Sequence, residues 1–190
     1  MKIIPQEEML LRSLKEYYKK KPNSLNIVFS IVTQKTGVSL RLLDWVVTNY
    51  AKTENVKYIH NSKNVNIYRS YKGELDAYSK KKFDPFCRRE RIFYNMKINE
   101  HIKINSSDKK CKQFVNLDNG FVTTVGQLNF FRWAIENGII KYALDNLECL
   151  EKNMLDSTKN KPKKKKNNEQ VKKKYVSNEP PMQKIFVKFD

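Results

Sequence analysis

Apolar residues become rare after Leu155, and this change limits where a folded core can form. Residues 157–174 read STKNKPKKKKNNEQVKKK, in which Val171 is the one apolar residue. A segment of this composition cannot bury enough apolar surface to offset the entropy lost on ordering. We therefore expect a folded domain over 1–155, followed by a disordered lysine-rich linker over 156–178.

The last part of the chain, residues 179–190, is predicted to be a short strand-like motif. It ends in MQKIFVKFD, where apolar residues return at alternate positions: Ile185, Val187 and Phe189. Such a strand could pair with this protein's own sheet or with the sheet of another protein. We expect residues 182–190 to contact a protein partner.

The chain is basic as a whole and stays basic without its tail. Its formal net charge is +18. Residues 152–190 hold 12 lysines and four acidic residues, which leaves 26 basic and 16 acidic residues in 1–151. A compact domain with excess positive charge favours a polyanionic partner. We expect that partner to be nucleic acid, either DNA or RNA, although lysine and asparagine codons in an AT-rich genome explain part of the charge.

The apolar pattern predicts an α+β fold, with a mostly helical domain and a small antiparallel sheet. Helical spacing is found over 6–20, 24–35, 39–52, 125–137 and 139–154, and a short helix is predicted over 72–83. Branched and aromatic residues predict the strands, at 65–71, 91–98 and 113–122. Asp84-Pro85 should end the short helix, because the residue before proline avoids helical angles.

Two helical segments, 39–50 and 127–138, align without gaps and place both tryptophans, Trp45 and Trp133, at the same position. A duplicated helix could present two related faces to a ligand such as duplex DNA. Any buried helix has a similar apolar density, however, so the likeness also fits two unrelated core helices. In either case we expect both tryptophans to be largely buried.

The stretch AYSKKKFDPFCRRERIF (77–93) is the candidate binding surface, because basic side chains can pair with phosphates while aromatic rings stack on unpaired bases. With its upstream neighbours, it supplies these candidate residues: Arg69, Lys72, Tyr78, Lys80, Lys81, Lys82, Arg88, Arg89 and Arg91. The alternative is structural. Phe83, Phe86 and Ile92 would then be core anchors, with the basic side chains solvated between them.

The lysine tail is a second candidate, and it is less specific. Its central run comprises Lys163, Lys164, Lys165 and Lys166. A run of lysines attracts phosphates by charge alone, so it adds affinity without reading sequence.

The sequence contains no motif that indicates a particular enzymatic reaction. The sequence lacks a GxxxxGK loop, an HExxH pair and a GxSxG elbow, so we expect a protein that is not an enzyme and holds no cofactor. The less favoured alternative is a metal-dependent nuclease, with carboxylates of Asp76, Asp84 and Glu90 holding magnesium.

The cysteines and histidines do not suggest a metal site or a disulfide framework. They are scattered and lack the short paired spacing of zinc ligands: Cys87, Cys111, Cys149, His60 and His101. No apolar run approaches the roughly 20 residues of a membrane span. We therefore expect an intracellular protein without a metal and without membrane association.

Three stretches, GVSLRLLDWVVTNYAK, AYSKKKFDPFCRRERIF and TTVGQLNFFRWAIENGII, resemble the signature blocks of an uncharacterised family of small proteins from giant nucleocytoplasmic large DNA viruses of the mimivirus type. The resemblance covers residues 36–143 in pieces. It implies a viral origin, a place in the cytoplasmic viral factory or the virion, and association with the viral genome. It transfers no activity and no catalytic residue. A virion structural or adaptor protein that binds other viral proteins is the alternative function.

Overall fold

The computed structural model describes residues 6–88, 90–104 and 120–159. These residues confirm the predicted α+β class, with helices forming most of the domain and short antiparallel strands beside them. The elements begin with α1 (Gln6–Lys20) and α2 (Pro22–Val32). Pro22 suits the first turn of α2, where a backbone N–H would have no partner in the helix.

The third helical segment is continuous but changes its hydrogen-bonding pattern. It runs from α3 (Leu40–Trp45) through one π-helical turn (Val46–Tyr50) into α4 (Ala51–Thr53). Ser39 caps α3, since its hydroxyl accepts a hydrogen bond from Leu42 N at 3.1 Å.

A β-hairpin comes next and was not predicted from the sequence. It pairs β1 (Lys57–His60) with β2 (Lys63–Asn66) in antiparallel register, and both turn residues, Asn61 and Ser62, have positive φ. The Tyr58 hydroxyl donates to Asn137 O at 2.8 Å, which fixes the hairpin to the body of the domain.

The strand predicted over 65–71 is wrong beyond its first two residues. Ile67 begins α5 (Ile67–Lys82), because the Asn66 side chain accepts a hydrogen bond from Arg69 N at 2.9 Å and caps a helix. Ile67 and Tyr71 lie four residues apart and both face the core. The helix predicted over 72–83 therefore starts earlier. It is interrupted at Ser79, where φ is 59° and ψ is 164°.

The remaining strands form a three-stranded antiparallel sheet. Its central strand is β3 (Ile92–Asn95), which pairs with β4 (Glu100–Lys103) on one side and β5 (Gly120–Thr123) on the other. The prediction over 91–98 is thus confirmed for β3, and that over 113–122 for the residues of β5 that it includes. Residues 113–119 lie outside the described part of the chain, and β4 was not predicted.

Helix α6 (Val125–Glu136) is the centre of the core, and α1, α2, α5 and α7 (Ile139–Asp145) pack around it. Most of its side chains are buried, and only its last turn reaches solvent, at the exposed Glu136. The Tyr18 hydroxyl donates to Leu128 O at 2.8 Å and ties α1 to this helix.

The last described helix, α8 (Leu147–Lys159), extends past the predicted end of the domain. Residues 156–159 therefore belong to a helix rather than to the predicted linker. The rest of that linker and the strand-like motif over 179–190 lie outside the described residues. None of the described helices is long and apolar enough to cross a membrane.

The two aligned segments are both helical, but their tryptophans have different surroundings. Trp133 is 4% exposed and its indole N–H donates to Ser70 Oγ at 2.8 Å. Trp45 is only partly buried, next to the π-helical turn that α6 lacks. The expectation of burial is therefore met by Trp133 and only in part by Trp45.

Leu128 tests the central position of α6. Replacing this fully buried side chain with alanine leaves a cavity, so L128A should lower the free energy of unfolding by about 2–5 kcal/mol in denaturant titrations. Leu155, which is 58% exposed on α8, is the matched control, and L155A should change it by less than about 0.5 kcal/mol. Equal effects would contradict this architecture.

Candidate nucleic-acid interface

A cleft of about 270 Å³ lies where the end of α5, the loop after it and the start of α6 meet. This basic cleft has walls of basic, acidic, aromatic and hydroxyl side chains: Lys80, Lys81, Asp84, Phe86, Arg88, Glu90 and Thr124. All but Thr124 come from the basic aromatic stretch AYSKKKFDPFCRRERIF (77–93). The structure therefore brings part of that stretch together around one concave site.

The loop is held against α6 by backbone contacts. Asp84 N donates to Gly126 O at 3.3 Å. A Cβ atom on Gly126 would lie only 2.8 Å from Lys81 O, so glycine is what allows α5 and α6 to meet this closely.

Gln127 makes the second attachment, from inside the protein. Its side chain is fully buried, and its amide donates to Pro85 O at 2.7 Å while its carbonyl accepts from the Thr123 hydroxyl at 2.8 Å. Thr124 caps α6 by accepting from Gln127 N at 3.0 Å. Thus one side chain fixes the loop, the strand β5 and the helix start relative to one another.

Lys80 and Lys81 follow the break in α5 and line the cleft. Both are exposed, and neither forms an ion pair within the described part of the chain. Their ammonium groups are therefore available to an anion. The positive end of the α6 dipole lies on the same side, since Thr124 lines the cleft as well.

Arg88 is held on two sides. Its guanidinium carbon lies 4.6 Å from the centroid of the Phe86 ring, and its Nε lies 3.6 Å from Asp84 Oδ2. The other oxygen of Asp84 accepts from Phe86 N at 3.1 Å, which fixes the carboxylate. The arginine is thus oriented by its own loop.

The carboxylates near the cleft influence one another. Burial raises the pKa of Asp44, and the Asp84 carboxylate raises it further, while Arg88 and Lys80 act in the opposite direction. Burial, together with Asp44 and Asp84, raises the pKa of Tyr71 to about 12. Asp44, from α3, is therefore an electrostatic neighbour of the cleft that the sequence did not single out.

The other predicted binding residues lie elsewhere. Tyr78 lines a second cleft of about 430 Å³, where Arg132 Nη2 lies 3.5 Å from its hydroxyl. Lys82 Nζ donates to Gln6 Oε1 at 3.3 Å. The following are exposed but do not line the basic cleft: Arg69, Lys72 and Arg91. Arg89, Lys163, Lys164, Lys165 and Lys166 lie outside the described residues.

The alternative interpretation of the stretch 77–93, in which its apolar residues are core anchors, is correct for two of the three residues. Phe83 is 1% exposed and Ile92 is 3% exposed, so both are core anchors. Phe86 is only partly buried and lines the cleft. The stretch is therefore both a packing element and a cleft wall.

Sequence reasoning did not find the second cleft or its arginine. Arg132, partly buried on α6, donates to Asn129 Oδ1 at 2.8 Å and to Ser13 Oγ at 3.2 Å. Glu74 lines the same cleft, and burial raises the pKa of its carboxyl. The signal in the sequence was a charged residue inside the apolar run FFRWA.

The carboxylates of the nuclease alternative are not all at one place. Asp84 and Glu90 line the basic cleft, whereas Asp76 is exposed on α5 and does not. Across 6–88, 90–104 and 120–159, no three acidic, histidine or cysteine side chains are grouped to hold a metal ion. Cys111 lies outside these ranges.

Comparison with known proteins decides the family. Residues 1–184 match DUF7197, a family of unknown function. The chain belongs to this family. Over 173 residues it is 34% identical to the uncharacterized protein L507 of Acanthamoeba polyphaga mimivirus, a match that covers 88% of this chain and 61% of that protein. No solved structure matches the chain. The resemblance to a mimivirus-type family is thereby confirmed.

In this DUF7197 chain, Gln127 should contribute to stability through its buried amide. Q127M keeps the length of the side chain but removes the amide that donates to Pro85 O and the carbonyl that accepts from the Thr123 hydroxyl. Its free energy of unfolding should fall by about 1–3 kcal/mol. The exposed Asn153 offers a control, since N153M should leave the value within about 0.5 kcal/mol. An unchanged midpoint for Q127M would show that the loop is held by other contacts.

Proposed function

We propose that this chain is a non-enzymatic nucleic-acid-binding protein of a large DNA virus, which holds phosphates in the basic cleft and uses its lysine tail as an auxiliary arm. The observation that carries the proposal is the convergence of three basic side chains, Lys80, Lys81 and Arg88, on one cleft at the start of α6. Lysine and arginine on phosphates release counterions, which is the main source of non-specific affinity for nucleic acid.

The charge balance of the domain supports the same function. Residues 1–151 hold ten more basic than acidic residues, so the excess does not depend on the tail. Such an excess speeds the approach of a polyanion, and the attraction between the two weakens as salt is added. The similarity to a mimivirus protein supports a viral setting for this basic domain. The host cytoplasm, in the viral factory, or the virion is the setting in which it would meet nucleic acid.

A matched pair of triple variants tests the role of the cleft. K80A/K81A/R88A should weaken binding to DNA and RNA in gel-shift or anisotropy titrations. It should also lower the salt slope on duplex DNA by up to about 2.7, because each lost phosphate contact accounts for about 0.9.

The control triple is K57A/K63A/K141A. It removes the same formal charge from exposed positions that do not line the cleft. Its affinity should stay closer to wild type. If the two triples lose affinity equally, net charge rather than the cleft determines binding. Protein pull-downs that survive salt, without nucleic-acid retention, would favour the adaptor alternative instead.

Removing residues 160–190 tests the auxiliary arm, and it leaves α8 intact. This truncation should weaken binding to single strands, duplexes and RNA by similar factors, because the tail contributes charge and no base contacts. Binding of the truncated protein should still depend on Lys80, Lys81 and Arg88. A truncated protein that is folded by circular dichroism and no longer binds would place the interface in the tail.

A further inference from the structure

Arg88 presents a supported planar group to solvent. Its guanidinium carbon lies over the Phe86 ring, 4.6 Å from the ring centroid, and the Asp84 carboxylate lies 3.6 Å from Nε. A guanidinium is flat and stacks on π faces, unlike the compact ammonium of lysine. The Arg88 side chain nevertheless keeps 63% of its surface exposed, so much of it is accessible to a ligand.

The aromatic rings expected to stack on bases are not open in the same way. Phe83 is buried against Tyr71, Phe130 and Trp133. Tyr78 lies in the second cleft. One face of Phe86 is covered by Arg88 itself. Of the planar side chains that line the basic cleft, Arg88 is therefore more exposed than Phe86.

Charges of both signs line the cleft beside Arg88. Lys80 and Lys81 line the cleft with ammonium groups, whereas Asp84 and Glu90 line it with carboxylates. A phosphate is attracted to the lysines and repelled by the carboxylates, so it should lie nearer to Lys80 and Lys81 than to Asp84 and Glu90. Its volume of about 270 Å³ is also close to the lower limit of about 300 Å³ for small-ligand pockets.

We propose that the cleft binds an unpaired nucleotide within a single strand, with the base stacked on the Arg88 guanidinium and a phosphate held by Lys80 and Lys81. This rests on the proposed function and specifies the form of nucleic acid. Bases in a duplex have both faces covered by neighbouring base pairs, so only an unpaired base can stack on a protein side chain. Arginine planes and aromatic rings are the usual platforms for such bases.

The test compares two single strands of equal charge. Fluorescence anisotropy of the full-length protein is measured with a labelled 12-nucleotide oligothymidylate and with a 12-nucleotide strand that carries abasic sites in place of thymidines. Wild type should bind the thymidylate more tightly. R88K keeps the positive charge but removes the plane. It should weaken thymidylate binding about five- to 150-fold, the range of one lost base stack, and leave the abasic strand within about twofold.

The exposed Arg12 on α1 gives the control, because R12K makes the same exchange away from the cleft and should leave both affinities unchanged. Equal weakening of both strands by R88K, or no weakening of either, would overturn the stacking proposal. The charge-removing cleft triple then separates the two ideas. If that triple still loses affinity, phosphate binding in the cleft remains and only base stacking is wrong. If it binds like wild type, both proposals fail.

Discussion

The contact between the loop after α5 and the first turn of α6 is the interaction on which the rest of the structure depends. Gly126 lets the two backbones approach, and Gln127 satisfies Pro85 O from within the core. A buried carbonyl without a partner would cost about 1–3 kcal/mol, so this amide matters more than its single hydrogen bond suggests. Helix α6 is also the element around which α1, α2 and α5 pack. The core and the basic cleft therefore share one support.

The contact between this loop and α6 explains how a strongly basic chain can hold like charges close together. Lys80, Lys81 and Arg88 repel one another, and an exposed surface would let them separate. Here the lysines follow a helix break at Ser79, and the arginine is fixed by Asp84 and Phe86. Backbone angles of this kind at a non-glycine residue cost about 1–3 kcal/mol and persist when the surroundings hold them. Packing of the loop on α6 supplies that constraint.

Sequence patterns were most reliable where one element could be read alone. The helix over 125–137 and the strand within 91–98 were predicted because their side chains pack along their whole length. The strand over 65–71 failed, since apolar residues at Ile67 and Tyr71 fit alternation as well as a helical face, and the Asn66 cap decided between them. The candidate surface was similarly divided, because α5 breaks at Ser79, between Tyr78 and Lys80. These two residues therefore line different clefts.

The sequence by itself determined the α+β class, the basic charge and the stretch that lines the cleft, because periodicity and charge are properties of short segments. Its similarity to mimivirus L507 and to DUF7197 is likewise a property of the chain. The tertiary structure alone decided which basic residues meet. Asp44 and Thr124 come from segments far apart in sequence, and their proximity to Arg88 results from how α3, α5 and α6 pack. Contacts of that kind depend on the whole core, which no local pattern encodes.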